Sequence, residues 1–146
     1  MYKRQLNDGA SAVLVAEEDF AKANGWEIIA IYCTAGVEPS RVMYAPVPAI
    51  QKLLDRAQMD VLDIDIYEHN EAFASASCAV LQEVGIPEDR FNLHGGAVAL
   101  GHPLGSSGTR CLITMIGVMR RLEAKSGIVS LCLGGGNAVA MRISLE

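Results

Sequence analysis

The chain has 146 residues, a length that suits one domain, and a net charge of −5, which does not indicate a basic nucleic-acid-binding face. Hydrophobic residues make up 51% and charged residues 20%, a balance that favours a packed core over disorder. The sequence has no run of about 18 apolar residues and no signal-peptide pattern. We therefore expect no nucleic-acid partner, no membrane partner and a cytoplasmic location.

The spacing of cysteines and histidines does not match a disulfide framework or a metal motif. The cysteines lack CxxC spacing and lie in apolar segments, as reduced thiols of intracellular proteins do: Cys33, Cys78, Cys111 and Cys132. The histidines also lack the spacing of metal ligands: His69, His94 and His102. We expect no metal site.

The first part of the chain predicts two strands separated by a helix. Residues 1–5 are polar and fit no element. The apolar run 11–16 predicts a buried strand, and residues 17–24 predict a helix that Gly25 ends. Residues 26–33 predict the next strand.

The middle of the chain continues this alternation. A loop with three prolines is expected over 34–48, followed by a helix over 49–57 with one apolar face. One short turn is expected at 61–63 and a strand at 64–68. Another helix is predicted to open at Asn70 and to run to about Val84.

The last part of the chain begins with a glycine-rich loop, GGAVALGHPLGSSGTR, over residues 95–110. A helix capped by Ser106 or Ser107 is expected to run to about Lys125. Its apolar residues lie on more than one face, which predicts burial on both sides. Strands are expected at 128–132 and 137–143, joined by three glycines as an antiparallel hairpin.

These elements predict an α/β domain with a mixed, mostly parallel five-stranded sheet and helices on both faces. Such sheets bind ligands beyond the carboxyl ends of their strands. Asn70 follows one predicted strand, Cys132 closes another, and His102 lies in the glycine-rich loop. We expect these three side chains to face one cleft.

His102 is expected on a rigid loop at the positive end of a helix, because Pro103 biases its backbone away from helical values. That setting favours a neutral imidazole that donates a hydrogen bond to an oxygen. The alternative is a tight turn with an incidental histidine, since glycines also have purely structural uses.

The candidate roles of Cys132 and Asn70 also have structural alternatives. The glycines after Cys132 leave room for a ligand, and their N–H groups could hold an oxyanion. A thiol can act as an acid or base near neutral pH, but Cys132 could equally be a small buried residue. Asn70 could hold a water in the cleft or simply cap a helix.

Five blocks of the sequence, in this order, resemble the C-terminal half of thiolases. They are Asn7–Ala10, Met43 with 46–49, 70–74 (NEAFA), 95–103 (GGAVALGHP) and 132–136 (CLGGG). The resemblance covers roughly residues 6–146. Ketoacyl synthases share a GH-x-x-G block but lack this cysteine, and sterol-carrier-type thiolases usually carry an HDCF-like block in place of NEAF.

The resemblance implies Claisen condensation or thiolysis between acetyl-CoA, acyl-CoA and 3-oxoacyl-CoA, as in fatty acid β-oxidation. Cys132 would be the acid/base, and His102 would donate to the thioester oxygen in a first oxyanion hole. Asn70 would hold the water that completes that hole, and Gly134 would offer an N–H to a second. Other residues match positions that contact pantetheine: Leu6, Met43, Ala72 and Phe73. Coenzyme A thioesters are substrates, and no further cofactor is implied.

The chain departs from the family in lacking the first half, which carries the nucleophilic cysteine. The resemblance assigns residues 1–25 to a remnant of that half, its last strand and helix, and residues 26–146 to the C-terminal domain. We expect no thiolase turnover from the chain alone. The expected partner is a second copy or a missing first half, and the alternative function is a non-catalytic pairing module.

Overall fold

The computed structural model describes residues 6–26 and 30–145. The predicted unstructured head at 1–5 lies outside these residues, as do residues 27–29 of the strand predicted at 26–33.

Helices and strands alternate along the described residues. The helices are α1 (Glu18–Ala23), α2 (Pro46–Ala57), α3 (Ala74–Val84), α4 (Ala97–Leu100) and α5 (Ser107–Leu122). The strands are β1 (Ile31–Gly36), β2 (Ile66–His69), β3 (Ser126–Leu133) and β4 (Asn137–Ser144). Short 3₁₀ helices lie at Pro39–Tyr44, Val61–Asp63 and Glu88–Arg90.

The described strands form one mixed sheet in the order β1-β4-β3-β2. β2 is parallel to β3, whereas β4 is antiparallel to both β3 and β1. The α/β class and the closing hairpin are confirmed, but the predictions of five strands and of mostly parallel pairing were wrong. The hairpin is the reason for the second error, because β4 turns back and lies between β3 and β1.

The missing fifth strand is the one predicted at 11–16. This segment forms no β-pairing with any described strand, and Val13, Leu14 and Val15 are exposed. A strand needs a neighbour for its N–H and C=O groups, and an apolar pattern alone does not supply one.

Two apolar clusters lie on opposite faces of the sheet, as the alternation of strand side chains requires. Tyr67 and Ile128 pack with α2 and α3 on one face. Ile66 and Val129 pack with α5 on the other. The prediction of helices on both faces is therefore confirmed.

Helix α5 buries one face, with inward residues at helical spacing: Cys111, Met115, Val118 and Met119. The prediction of burial on both sides was wrong for this chain, because Ile113 is 44% exposed and Leu122 is 53% exposed. Nothing in the described residues covers these outward apolar side chains.

The turn between β3 and β4 is fixed by Gly136. This residue has φ +89°, and a Cβ there would overlap the carbonyl oxygen of Val37. The Val37 N–H donates to the Gly136 carbonyl at 2.8 Å, so the hairpin turn is held against the end of β1.

Candidate functional site

Asn70 lies where the chain leaves β2, with 1% of its surface exposed. Its N–H donates to the Ser130 carbonyl at 3.1 Å, and its carbonyl accepts from the Ala97 N–H at 3.0 Å. The prediction that Asn70 opens a helix was wrong, since α3 begins at Ala74. Glu71 has φ +58° and Phe73 is extended, so the helix cannot start earlier.

Glu71 ties this turn to the glycine-rich loop. Its Oε2 accepts a hydrogen bond from the Val98 N–H at 3.3 Å. A Cβ at Gly96 would overlap the Glu71 side chain, so the glycine leaves room for this close approach. The contact brings the loop that carries His102 against the end of β2.

His102 is half-buried in the loop between α4 and α5. Its Nε2 lies 3.4 Å from Nδ2 of Asn70. Its Nδ1 lies 2.6 Å from Oγ of Ser107, on the first turn of α5. The structure thus brings together two of the three predicted site residues and fixes the imidazole from both sides.

The start of α5 supplies three side chains to this site that the sequence reasoning missed. Ser107 contacts His102, whereas Arg110 and Cys111 contact Asn70. Arg110 Nη2 donates to Oδ1 of Asn70 at 2.9 Å, and Cys111 Sγ lies 3.6 Å from the same oxygen. Their i, i+3, i+4 spacing places them on one helix face, but this spacing does not show which element that face meets.

The serine predicted to cap α5 occupies the cap position, but its side chain makes no capping hydrogen bond. Ser106 precedes the helix without a side-chain capping bond. Its Oγ instead lies 2.6 Å from Oγ of Ser11. A cleft of about 290 Å³ lies beside this contact, between residues 7–11 and 103–106.

Cys132 is half-buried near the carboxyl end of β3, opposite Ala138 of β4. It follows Ser130 by two residues, and the Ser130 carbonyl accepts the Asn70 N–H. Cys132 therefore lies at the same end of the parallel strands β2 and β3 as Asn70. Gly134 is exposed in the following turn, with open space where a Cβ would stand.

The four predicted pantetheine-contacting residues differ in exposure. Leu6 is 61% exposed, whereas Ala72 is buried. Phe73 immediately precedes α3, and Met43 lies half-buried in the 3₁₀ helix Pro39–Tyr44, which packs against α3. Met43, Ala72 and Phe73 therefore belong to neighbouring segments, and Leu6 lies beside the loop of His102 through the Asn7–Leu100 contact.

Three ionisable groups near Asn70 are strongly perturbed. Burial raises the pKa of Glu68 to about 8, opposed by the charge of Arg110. Burial also raises the pKa of Cys111 to about 12. Burial lowers the pKa of His69 to about 4, although Nδ1 of His69 lies 3.0 Å from Oγ of Ser130. Near neutral pH the site is therefore flanked by an un-ionised carboxyl, thiol and imidazole.

In the part of the chain that the structure describes, no three histidine, cysteine or carboxylate side chains lie close enough together to bind a metal ion. Across those same residues, no helix is long and apolar enough to cross a membrane.

The fold and the site define an α/β domain in which a histidine and an asparagine amide meet at the end of a parallel strand pair. The sequence profile described as "Thiolase, C-terminal domain" matches residues 25–145. This chain belongs to the thiolase family.

Two relatives in sequence cover almost all of the chain. An acetyl-CoA acetyltransferase of Pseudomonas aeruginosa is 46% identical over 144 residues, which are 97% of this chain and 37% of that protein. A probable acetyl-CoA acyltransferase of Staphylococcus epidermidis is 46% identical over 143 residues, 95% of this chain and 36% of that protein.

Solved structures give the same picture. The Bacillus anthracis acetyl-CoA acetyltransferase has a TM-score of 0.83 at 38% identity, covering 88% of this chain and 34% of that one. Human mitochondrial 3-ketoacyl-CoA thiolase in complex with CoA has a TM-score of 0.84 at 37% identity, covering 90% and 34%. The chain thus spans little more than a third of the length of these relatives.

Proposed function

We propose that this chain supplies the acid/base and oxyanion-hole groups of an acyltransferase that makes or cleaves 3-oxoacyl-CoA. The observation that carries the proposal is the 3.4 Å separation of His102 Nε2 and Asn70 Nδ2 at the sheet edge. The relatives named above support the reaction class, because their names describe transfer of acyl groups to or from acetyl-CoA.

The first oxyanion hole is assigned to His102 and Asn70. His102 Nε2–H donates to the thioester oxygen of acetyl-CoA, and Asn70 Nδ2 holds a water that donates to the same oxygen. The oxygen can then lie about 3 Å from Nε2 of His102 and from the water, which is the geometry such a hole needs. Negative charge develops on this oxygen when the neighbouring methyl loses a proton, so the two donors lower the barrier to that step.

Cys132 is assigned the acid/base role. Its thiolate takes the methyl proton of acetyl-CoA in condensation, or the thiol proton of incoming CoA in thiolysis, and returns it to the leaving group in reverse. Its position at the same strand ends as Asn70 supports this assignment. The N–H of Gly134 contributes to a second oxyanion hole for the acyl group on the partner's nucleophile.

Four residues are assigned to contacts with the pantetheine arm of the substrate. Leu6, Met43, Ala72 and Phe73 line the path of pantetheine, and CoA thioesters are the substrates, with no additional cofactor. The human relative whose structure contains CoA supports this ligand class.

The acylated nucleophile is assigned to another polypeptide segment, since Cys33 and Cys111 are buried and Cys78 is on the surface of α3. The partner is a first thiolase half or a second copy of this chain, in the cytoplasm. Residues 1–25 belong to that first half, and residues 26–146 form the C-terminal domain.

The proposal is tested by adding the first two thirds of the Pseudomonas aeruginosa relative to this chain and following acetoacetyl-CoA cleavage. The chain alone is expected to give no turnover, and the mixture is expected to be active. Cys132→Ser is expected to abolish that activity, whereas Cys78→Ser, the matched control on an exposed cysteine, retains it. Normal cleavage by the chain alone, or an unaffected Cys132→Ser mixture, would refute the assignment.

A non-catalytic pairing module is the second candidate, and one observation favours it. Leu14, Val15 and Ile113 are exposed apolar side chains that a binding partner would bury. Analytical ultracentrifugation together with the cleavage assay distinguishes the pairing module from the acyltransferase. A stable complex that does not cleave acetoacetyl-CoA supports the pairing module.

A further inference from the structure

Ser107 is almost completely buried, with 1% of its surface exposed, at the first position of α5. Its Oγ lies 2.6 Å from Nδ1 of His102, which accepts or donates according to the tautomer, and 3.1 Å from the carbonyl oxygen of Pro103, which accepts. A serine hydroxyl carries one proton and can donate it to only one of them at a time.

The contact with Nδ1 is the shorter of the two, and we take the imidazole nitrogen as the acceptor of the Ser107 proton. If Ser107 donates to Nδ1, that nitrogen carries no proton, and the neutral ring must carry its proton on Nε2.

The spacing to Asn70 agrees with this tautomer. A good hydrogen bond between Nδ2 and Nε2 would be shorter than the observed 3.4 Å. Arg110 donates to Oδ1 of Asn70, which turns the amide nitrogen toward His102. The two nitrogens therefore face each other as two donors, which is the arrangement that binds one shared oxygen or water.

We propose that Ser107 is a positioning residue that holds the proton of His102 on Nε2, so that the imidazole donates toward an acyl oxygen. This inference rests on the proposed function for its catalytic consequence, but the tautomer itself does not. Without the hydroxyl, Nδ1–H can instead turn toward the Pro103 carbonyl, and Nε2 becomes an acceptor that repels an oxyanion.

The tautomer is measured on the full chain, uniformly labelled with ¹⁵N, by two-bond ¹H–¹⁵N correlation spectra of the imidazoles. His102→Gln assigns the His102 signals by their disappearance. We expect Nε2 protonated in the unaltered chain, a shift toward Nδ1–H in Ser107→Ala, and the original tautomer in Ser107→Thr, which keeps the hydroxyl. Ser106→Ala is the matched control, because Ser106 contacts Ser11 and not His102 in the described structure.

Two outcomes would overturn the inference: a proton on Nδ1 of His102 in the unaltered chain, or a tautomer ratio that Ser107→Ala leaves unchanged. The first outcome requires no variant, so a misfolded Ser107→Ala protein does not prevent the test. In the active mixture, Ser107→Ala is expected to lower kcat by about 10- to 100-fold with little change in KM, less than complete loss of an oxyanion-hole donor. An inactive unaltered mixture with Nε2 protonated refutes the proposed function and leaves the assignment of Ser107 standing.

Discussion

The guanidinium of Arg110 donates from Nη2 to the side-chain oxygen of Asn70 at 2.9 Å. This bond decides which way the amide faces, since rotating it by 180° would set NH₂ against a cation. The amide nitrogen is thereby directed at His102, 3.4 Å away. One helix turn thus orients both members of the pair, Arg110 through the amide and Ser107 through the ring.

Replacing Arg110 by methionine is expected to reduce turnover of the reconstituted mixture by about 10-fold or more, because the amide is then free to rotate. The loss should appear in kcat, since Arg110 does not contact the proposed pantetheine path. Arg121→Met, on the exposed end of α5, is the matched control and should leave turnover unchanged. An Arg110→Met mixture with unaltered kcat would show that the amide does not need this bond.

Glu68 makes the stability of the chain fall as pH rises. Its pKa is about 8 in the folded chain, against an ordinary value of 4.5, because its carboxyl is buried. Between those values the unfolded chain has released the proton that the folded chain keeps, so the free energy of unfolding decreases with pH. Glu68→Gln should remove this decrease, gaining up to about 5 kcal/mol relative to the unaltered chain between pH 4.5 and 8.

Urea unfolding at several pH values measures this effect. Glu83→Gln, at an exposed position on α3, is the control and should follow the unaltered chain. If Glu68→Gln differs from the unaltered chain by the same amount at every pH, the carboxyl does not stay un-ionised when buried.

His69 should make the free energy of unfolding fall as the pH is lowered, which is the opposite of the effect of Glu68. Burial lowers its pKa to about 4 from 6.5, so the unfolded chain binds a proton that the folded chain does not as pH falls. The free energy of unfolding is expected to drop by about 3 kcal/mol between pH 6.5 and 4 for this reason. His69→Leu should lose that part of the acid sensitivity in the same unfolding measurement, whereas an identical slope in both chains would contradict the burial effect.

The hairpin turn depends on Gly136. Gly136→Ala should lower the free energy of unfolding by about 2 to 4 kcal/mol, because it adds a side chain at positive φ and against a backbone carbonyl. Gly134→Ala, two residues earlier with open space around it, should change the free energy of unfolding little. Equal destabilisation by the two substitutions would contradict the close approach to Val37.

The sequence predicted the elements whose signals are local. The apolar face of 49–57 and the glycines between 132 and 137 produced a helix and a hairpin at those places. The helix predicted at 49–57 begins earlier, at Pro46, because a proline fits the first helical position, where no N–H is needed. The strand at 11–16 failed because the pattern showed that these residues seek burial but not whether a neighbouring strand is present.

The sequence predicted that Asn70 and His102 would lie close together, as the structure has them, but it did not predict the side chains that hold them. Asn70 and His102 stand out as polar side chains at strand ends and in glycine-rich loops. Ser107 and Arg110 look like ordinary residues at the start of a helix, and their role depends on which face of α5 meets β2. That depends on the crossing of two elements about 40 residues apart along the chain, which spacing within α5 alone does not determine.

The central claim is that Cys132, His102 and Asn70 act on one acetyl group. The most direct measurement is exchange of the methyl protons of acetyl-CoA in D₂O, followed by proton NMR, in the mixture of this chain with the first part of the Pseudomonas aeruginosa relative. The account predicts rapid exchange in the unaltered mixture and a reduction of about 100-fold or more for Cys132→Ala, and likewise for His102→Gln. Undiminished exchange with Cys132→Ala, or no exchange in the unaltered mixture, would contradict it.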